Sequence, residues 1–140
     1  MGAVRYRVLS VDDDPDFQAS LAAVLEDDYA VTTCSSGDRA LELLKHEPFH
    51  VLCSDFNMPG MDGVELISRA AGLPTPMGLL LVTGSEQEAA SRLKGMTELV
   101  LLMTKPFDPA RLLRQVARLV GLVEIQRALA KRLPVAAAAK

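Results

Sequence analysis

The sequence predicts an α/β domain, a parallel sheet with helices packed on both of its faces. Three observations lead there. Five short apolar runs, Tyr6–Val11, Ala30–Cys34, Val51–Ser54, Met77–Thr83 and Leu99–Met103, are β-branched or Leu-rich and too short for helices. Five stretches of helical character alternate with them: Pro15–Glu26, Gly37–Lys45, Gly63–Ala71, Glu86–Lys94 and Pro109–Val120. Most of these stretches are preceded by a residue suited to capping a helix. Strand and helix in strict alternation pack as a parallel sheet with crossover helices on both faces.

Each element carries its own signal. After the first strand, Asp14 before Pro15 places an N-cap ahead of proline at the first helical position. Phe17, Leu21, Val24 and Leu25 then follow helical spacing. Ser36 caps the second helix, in which Leu41 and Leu44 supply the apolar face. Val51–Ser54 is apolar enough to be covered on both faces. Met58-Pro59-Gly60-Met61 puts Pro and Gly where a type II turn wants them, and Asp62 starts the third helix. Ser85 with Glu88 fits a capping box for the fourth, and Asp108-Pro109 repeats the Asp-Pro start at the fifth.

Composition narrows the function. A chain of 140 residues is one domain's length, and 49% hydrophobic residues suffice for a core. Lys and Arg number 15 against 18 Asp and Glu, a net charge of −3 that argues against a general nucleic-acid binder. No apolar run approaches the ~18 residues of a membrane span, and the N-terminus lacks a signal-peptide layout. Cys34 and Cys53 are too few for a disulfide framework or a four-ligand zinc site. Both sit in strand-like runs and read as buried thiols of a cytoplasmic protein. His46 and His50 flank a loop without a partner arrangement and read as surface residues.

In a parallel sheet the functional crevice lies beyond the carboxyl ends of the strands. Strand one ends in Asp12 and Asp13, strand three in Asp55 and strand four in Thr83, and strand five runs into Lys105-Pro106. Three carboxylates at one edge repel one another, which a hard divalent cation such as Mg²⁺ relieves with oxygen ligands. Lys105 adds a second positive charge and Thr83 a hydroxyl donor. Together they describe a phosphoryl-binding site. A carboxylate can be the nucleophile, and Asp55, which leaves its strand without an acidic neighbour, is the candidate. The loop after it would let a backbone carbonyl near Asn57 face the metal. Asp14 reads as a helix cap and is not counted as a ligand.

These residues resemble the receiver domain of two-component response regulators, over roughly residues 5–120. The resemblance rests on Val-Asp-Asp at 11–13, Asp-x-x-Met-Pro-Gly-Met-Asp-Gly at 55–63, Val-Thr-Gly at 82–84 and Lys-Pro-Phe at 105–107. It implies a flavodoxin-like (βα)5 doubly wound sheet in strand order 2-1-3-4-5. It implies that Asp55 accepts a phosphoryl group from a sensor histidine kinase or phosphotransfer protein. Asp13, Asp55 and the Asn57 carbonyl would bind Mg²⁺ directly, Asp12 would assist through water, and Thr83 and Lys105 would hold the phosphoryl oxygens. The protein would catalyse only its own phosphorylation and dephosphorylation. The Lys105–Pro106 bond is expected cis. Where the family carries an aromatic switch residue on strand five, this chain has Leu102, and Gly95-Met96-Thr97-Glu98-Leu99 departs from the common Gly-Ala-x-Asp-Tyr pattern. Output coupling is therefore expected to be altered or weakened.

Residues 1–120 are assigned to the receiver and 121–140 to a C-terminal helical extension or linker with a disordered Ala-rich end. Leu112, Val116, Leu119 and Val123 make one apolar stripe. Leu122, Ile125, Leu129 and Leu133 are left over for an output domain or a homodimer through residues 110–133. Arg111, Arg114, Arg118, Arg127, Lys131 and Arg132 read as a solvated face. No direct nucleic-acid or membrane contact is expected. The alternative is a haloacid dehalogenase-type phosphatase using Asp12 as nucleophile, since Asp12-x-Asp14, Thr83 and Lys105 mimic its motifs. Against it, Pro15 stands where that family has Thr or Val, no acidic pair follows Lys105, and the Asp55 motif goes unexplained.

Overall fold

The computed structural model describes residues 5–132. Strands and helices alternate as β1 (Arg7–Val11), α1 (Pro15–Leu25), β2 (Ala30–Cys34), α2 (Gly37–His46), β3 (Val51–Asp55), α3 (Gly63–Ala71), β4 (Gly78–Thr83), α4 (Glu86–Arg92), β5 (Val100–Thr104) and α5 (Pro109–Arg132). The strands form one parallel sheet in the order β2-β1-β3-β4-β5. This is the flavodoxin-like order. Up to β5 the expected bounds agree with the observed ones to within two residues. The chain runs from β1 to one edge of the sheet and returns to β3, so the order reverses between β1 and β3. Their adjacent C-terminal ends flank the crevice.

Successive strand residues face opposite sides, and each side has its own core. Leu9, Leu52, Leu79 and Leu81 meet Leu41 of α2, Leu66 and Ile67 of α3 and Ala89 of α4. Val8, Val51, Leu80 and Val82 meet Leu21 and Leu25 of α1 and Leu112, Val116 and Leu119 of α5. Every residue of β3 and β4 is buried, as strands covered on both faces must be. Each fully buried leucine contributes about 2 kcal/mol. Leu102 is half-buried against the α2–α3–α4 core.

The helix starts follow their sequence signals. Asp14 accepts from the Asp16 and Phe17 amides, Ser36 from Arg39, Asp62 from Glu65 and Ser85 from Glu88. Gly60 has φ +74°, which suits the third position of the type II turn. The capping box at α4 is only half made. The Ser85 amide donates to the Thr83 hydroxyl (2.9 Å), so it is already engaged and does not wait for the Glu88 side chain.

Helix α5 runs unbroken through Gly121 to Arg132. Its second half is fastened beneath the sheet. Arg127 donates to the carbonyls of Phe49 (2.8 Å) and Pro76 (3.0 and 3.2 Å), and Glu124 accepts from the Tyr6 hydroxyl. Arg127 is thus an anchor and not part of a solvated face. Leu122, Ile125 and Leu129 are exposed. Leu133 and the Ala-rich end lie outside the described residues. Among the described residues no helix is long and apolar enough to cross a membrane.

Candidate functional site

The site forms where β1 and β3 end side by side. Val11 pairs in register with Ser54, so Asp12, just past β1, and Asp55, the last residue of β3, lie at the same level on the C-terminal edge of the sheet. Carboxylate oxygens of Asp12, Asp13 and Asp55 lie within 4.8 Å of one another. Asp12 and Asp55 are buried, 3% and 7% exposed, while Asp13 faces outward. The loop geometry is held by backbone bonds. Phe56 N–H donates to Val82 O (2.8 Å), and Gly63 N–H returns to Phe56 O (2.9 Å), closing the loop that carries Asn57. Asn57 is exposed, two residues beyond Asp55.

Lys105 reaches into this cluster from the far end of β5. Its backbone N–H bonds Thr83 O (2.9 Å), and the Lys105–Pro106 peptide is cis as expected. The ammonium lies 2.9 Å from Asp55 Oδ1 and 3.3 Å from Asp12 Oδ2. Burial raises the Asp55 pKa above its ordinary value; Asp12 and Asp13 add to the rise, and Lys105 opposes it. Burial pulls on Lys105 in the opposite sense, yet its bonds and attraction to Asp55 and Asp12 outweigh that and leave its pKa raised. A crowded acidic pocket with one cation is the electrostatic result.

Thr83 is completely buried at the end of β4. Its hydroxyl donates to Ser85 O (3.1 Å) and accepts from Ser85 N–H (2.9 Å), so it is satisfied within its own turn. The structure therefore brings together Asp12, Asp13, Asp55 and Lys105, with Thr83 nearby on the adjoining strand and its hydroxyl engaged elsewhere. Asp14 only caps α1, its oxygen accepting from the Asp16 amide (3.0 Å).

Sequence reasoning missed two residues here. Gln18 stitches the ends of β1 and β2, donating to Asp12 O (3.3 Å) and Cys34 O (2.8 Å) and accepting from the Ser10 hydroxyl (3.2 Å). Gln18 stands between exposed Asp16 and Ser20 on a mostly solvent-facing first turn, so nothing local marked it. Phe17 sits with its ring centroid 4.2 Å from the Lys105 ammonium, and Phe107 packs edge-on to it (5.5 Å, 87°). On the opposite side of the loop, Arg92 of α4 pairs with Asp62 (2.9 Å). His50 is also not a plain surface residue: its Nδ1 accepts the Arg7 amide (3.0 Å) and its ring meets Tyr6 edge-on.

An acidic crevice at the switch point of a 2-1-3-4-5 sheet, answered by a lysine from β5, defines the class, and the comparisons define the family. The family model for the response regulator receiver domain matches residues 8–117, and the chain belongs to that family. The chain is 31% identical over 115 residues to the response regulator receiver protein CpdR of Brucella abortus, covering 81% of this chain and 96% of that one. It is 38% identical over 115 residues to an uncharacterized 14.6 kDa protein of Leptolyngbya boryana, covering 78% and 86%. The crystal structure of a CheY-like receiver domain protein from Methanospirillum hungatei superposes with a TM-score of 0.80 at 26% identity, covering 88% of this chain and 99% of that one. Receiver domains are signalling domains of two-component systems and accept a phosphoryl group on an aspartate. The dehalogenase-type alternative finds no support in these relationships.

Proposed function

We propose that this receiver is switched by phosphorylation of Asp55. The observation that carries the reading is the Lys105 ammonium 2.9 Å from Asp55 Oδ1, inside a cluster whose other members are Asp12 and Asp13. Asp12, Asp13 and Asp55 offer hard oxygen donors close enough to share one small cation, and the Asn57 backbone carbonyl completes the set we assign to Mg²⁺. When bound, Mg²⁺ supplies positive charge against the phosphoryl oxygens. An Asp55 oxygen attacks phosphorus as the bond to the donor's imidazole nitrogen breaks. Lys105 exchanges its carboxylate partners for a phosphoryl oxygen, and Thr83 releases Ser85 to donate to another. The buried floor beneath Asp55 keeps its carboxylate in one orientation, so positioning and charge do most of the work.

The donor is a sensor histidine kinase or a phosphotransfer protein, and the setting is cytoplasmic. Residues 1–120 form the receiver and 121–140 an extension whose first turns are fastened by Glu124 and Arg127. The exposed Leu122, Ile125 and Leu129 are the surface for an output domain or a homodimer. Intact mass after incubation with acetyl phosphate and Mg²⁺ tests the reading. One hydroxylamine-labile phosphoryl adduct is expected, absent from Asp55→Asn and from an EDTA control. An adduct that persists in Asp55→Asn would overturn it.

A further inference from the structure

We infer that Phe17 is a positioning residue for phosphoryl transfer, acting on Lys105 through its π face; the inference rests on Asp55 being the acceptor. The Lys105 ammonium has three N–H groups. Two carboxylates, on Asp55 and Asp12, lie within bonding distance of it, and the Phe17 ring face lies on a further side with its centroid 4.2 Å away. That distance is well inside the range of a cation–π attraction. The ring is not free to turn aside. It projects from the first turn of α1, which Asp14 and Pro15 fix, and Phe107 packs edge-on against it from the segment just after Lys105. The two rings thus bridge α1 and the β5–α5 loop around the lysine.

The chemistry gives this contact a purpose that a third carboxylate could not serve. During transfer Lys105 must leave its carboxylate partners for a phosphoryl oxygen. An acid on its remaining side would compete with that oxygen and add to the repulsion already present among Asp12, Asp13 and Asp55. A neutral π face attracts the ammonium without doing either. It keeps Nζ at the mouth of the pocket while the anionic partners change. Phe17 itself touches neither the acceptor oxygen nor the incoming group.

The test is the rate of acetyl-phosphate labelling of the full chain with Phe17 replaced by mono-, di- and trifluorinated phenylalanine, alongside Phe17→Leu. Fluorination drains the ring's negative face while leaving its size nearly unchanged, so a packing role would not respond to it. The saturating labelling rate is expected to fall stepwise along the series, by about three- to fivefold at the end, the weight of a cation–π contact at a partly exposed site. Half-saturation by acetyl phosphate should change less than the rate. In a Lys105→Ala background, Phe17→Leu should have no further effect. A flat fluorination series, or an equal loss from Phe17→Leu with and without Lys105, would overturn the inference while leaving Asp55 phosphorylation standing. Failure of the unsubstituted chain to label on Asp55 at all would sink both.

Discussion

Gly63 and Gly121 both lie in helices, and replacing each with alanine should shift stability in opposite directions. By helix propensity alone, a Gly→Ala change in a helix interior stabilises by about 1 kcal/mol, a gain open to Gly121 within α5 but not to Gly63, the first residue of α3. At Gly121 nothing lies within 4 Å of the new Cβ, so the propensity gain stands and the melting temperature should rise by about 2–4 °C. At Gly63 the Cβ would lie 2.1 Å from the Asp55 carbonyl oxygen and 2.8 Å from Leu81 Cδ1. Carbon and oxygen approach no closer than roughly 3.3 Å in such contacts, so something must move by about 1 Å. The obstacle is backbone in a fully buried strand. Overpacking of this kind costs about 1–3 kcal/mol, and here belongs at the upper end. With no interior propensity gain to offset it, about 3 kcal/mol is lost, a fall of about 6–12 °C on the same scale. Thermal unfolding followed by circular dichroism in Mg²⁺-free buffer reads both variants. Gly63→Ala melting at or above the parent chain would refute the close approach of α3 to β3.

Other consequences are open to direct measurement. Burial pushes the Cys53 thiol up to about 12, with Asp12 and Asp55 adding to it, so iodoacetamide at pH 8 should leave Cys53 unmodified until the chain is unfolded. Labelling of folded protein at Cys53, found by peptide mass, would contradict the packing. Burial, then Arg127, lowers the His50 pKa below 6.5, with Arg7 assisting and Glu124 opposing. The unfolded chain then takes up this proton at higher pH than the folded one, so His50's contribution is full above pH 6.5 and fades as pH falls through the folded value. An NMR titration of the His50 ring with a midpoint at or above 6.5 would rule this out. Arg127→Met removes the bonds to Phe49 and Pro76 and should cost about 1–2 kcal/mol, with faster amide exchange across residues 124–132. Unchanged protection there would show that the anchor does not hold the helix.

What was legible in the sequence was whatever depends on neighbours along the chain or on strand position. Asp14-Pro15 and Asp62 start helices by local chemistry, and Asp12, Asp55 and Lys105 announce themselves because strand ends in a parallel sheet converge. Contacts made across the fold were not legible. Phe17 has the spacing of an ordinary core-facing helix residue, and nothing local shows that the β5–α5 loop will bring an ammonium to its ring. Arg127 looks like one more cation on a basic helix until the loops before β3 and β4 present their carbonyls. His50 lacked a visible partner because that partner is a backbone amide of β1. At Ser85 the local pattern predicted two reciprocal bonds, and the Thr83 hydroxyl took one of the donors.

If Asp55 is the phosphoryl acceptor, as proposed above, the closed ring between Thr83 and Ser85 governs how sharply the protein responds. To reach an acceptor on Asp55, the Thr83 hydroxyl must give up two neutral hydrogen bonds, each worth about 1 kcal/mol. A bond to a charged phosphoryl oxygen returns about 1.5–3 kcal/mol. On these figures the switched arrangement lies between about 0.5 kcal/mol above and about 1 kcal/mol below the resting one, a ratio between roughly 1:2 and 5:1. Phosphorylation in such a turn acts as a dial more than a latch. On that reading a substantial fraction of modified molecules keeps the resting loop, and a binding partner that prefers one arrangement can settle the balance by a few kilocalories of its own.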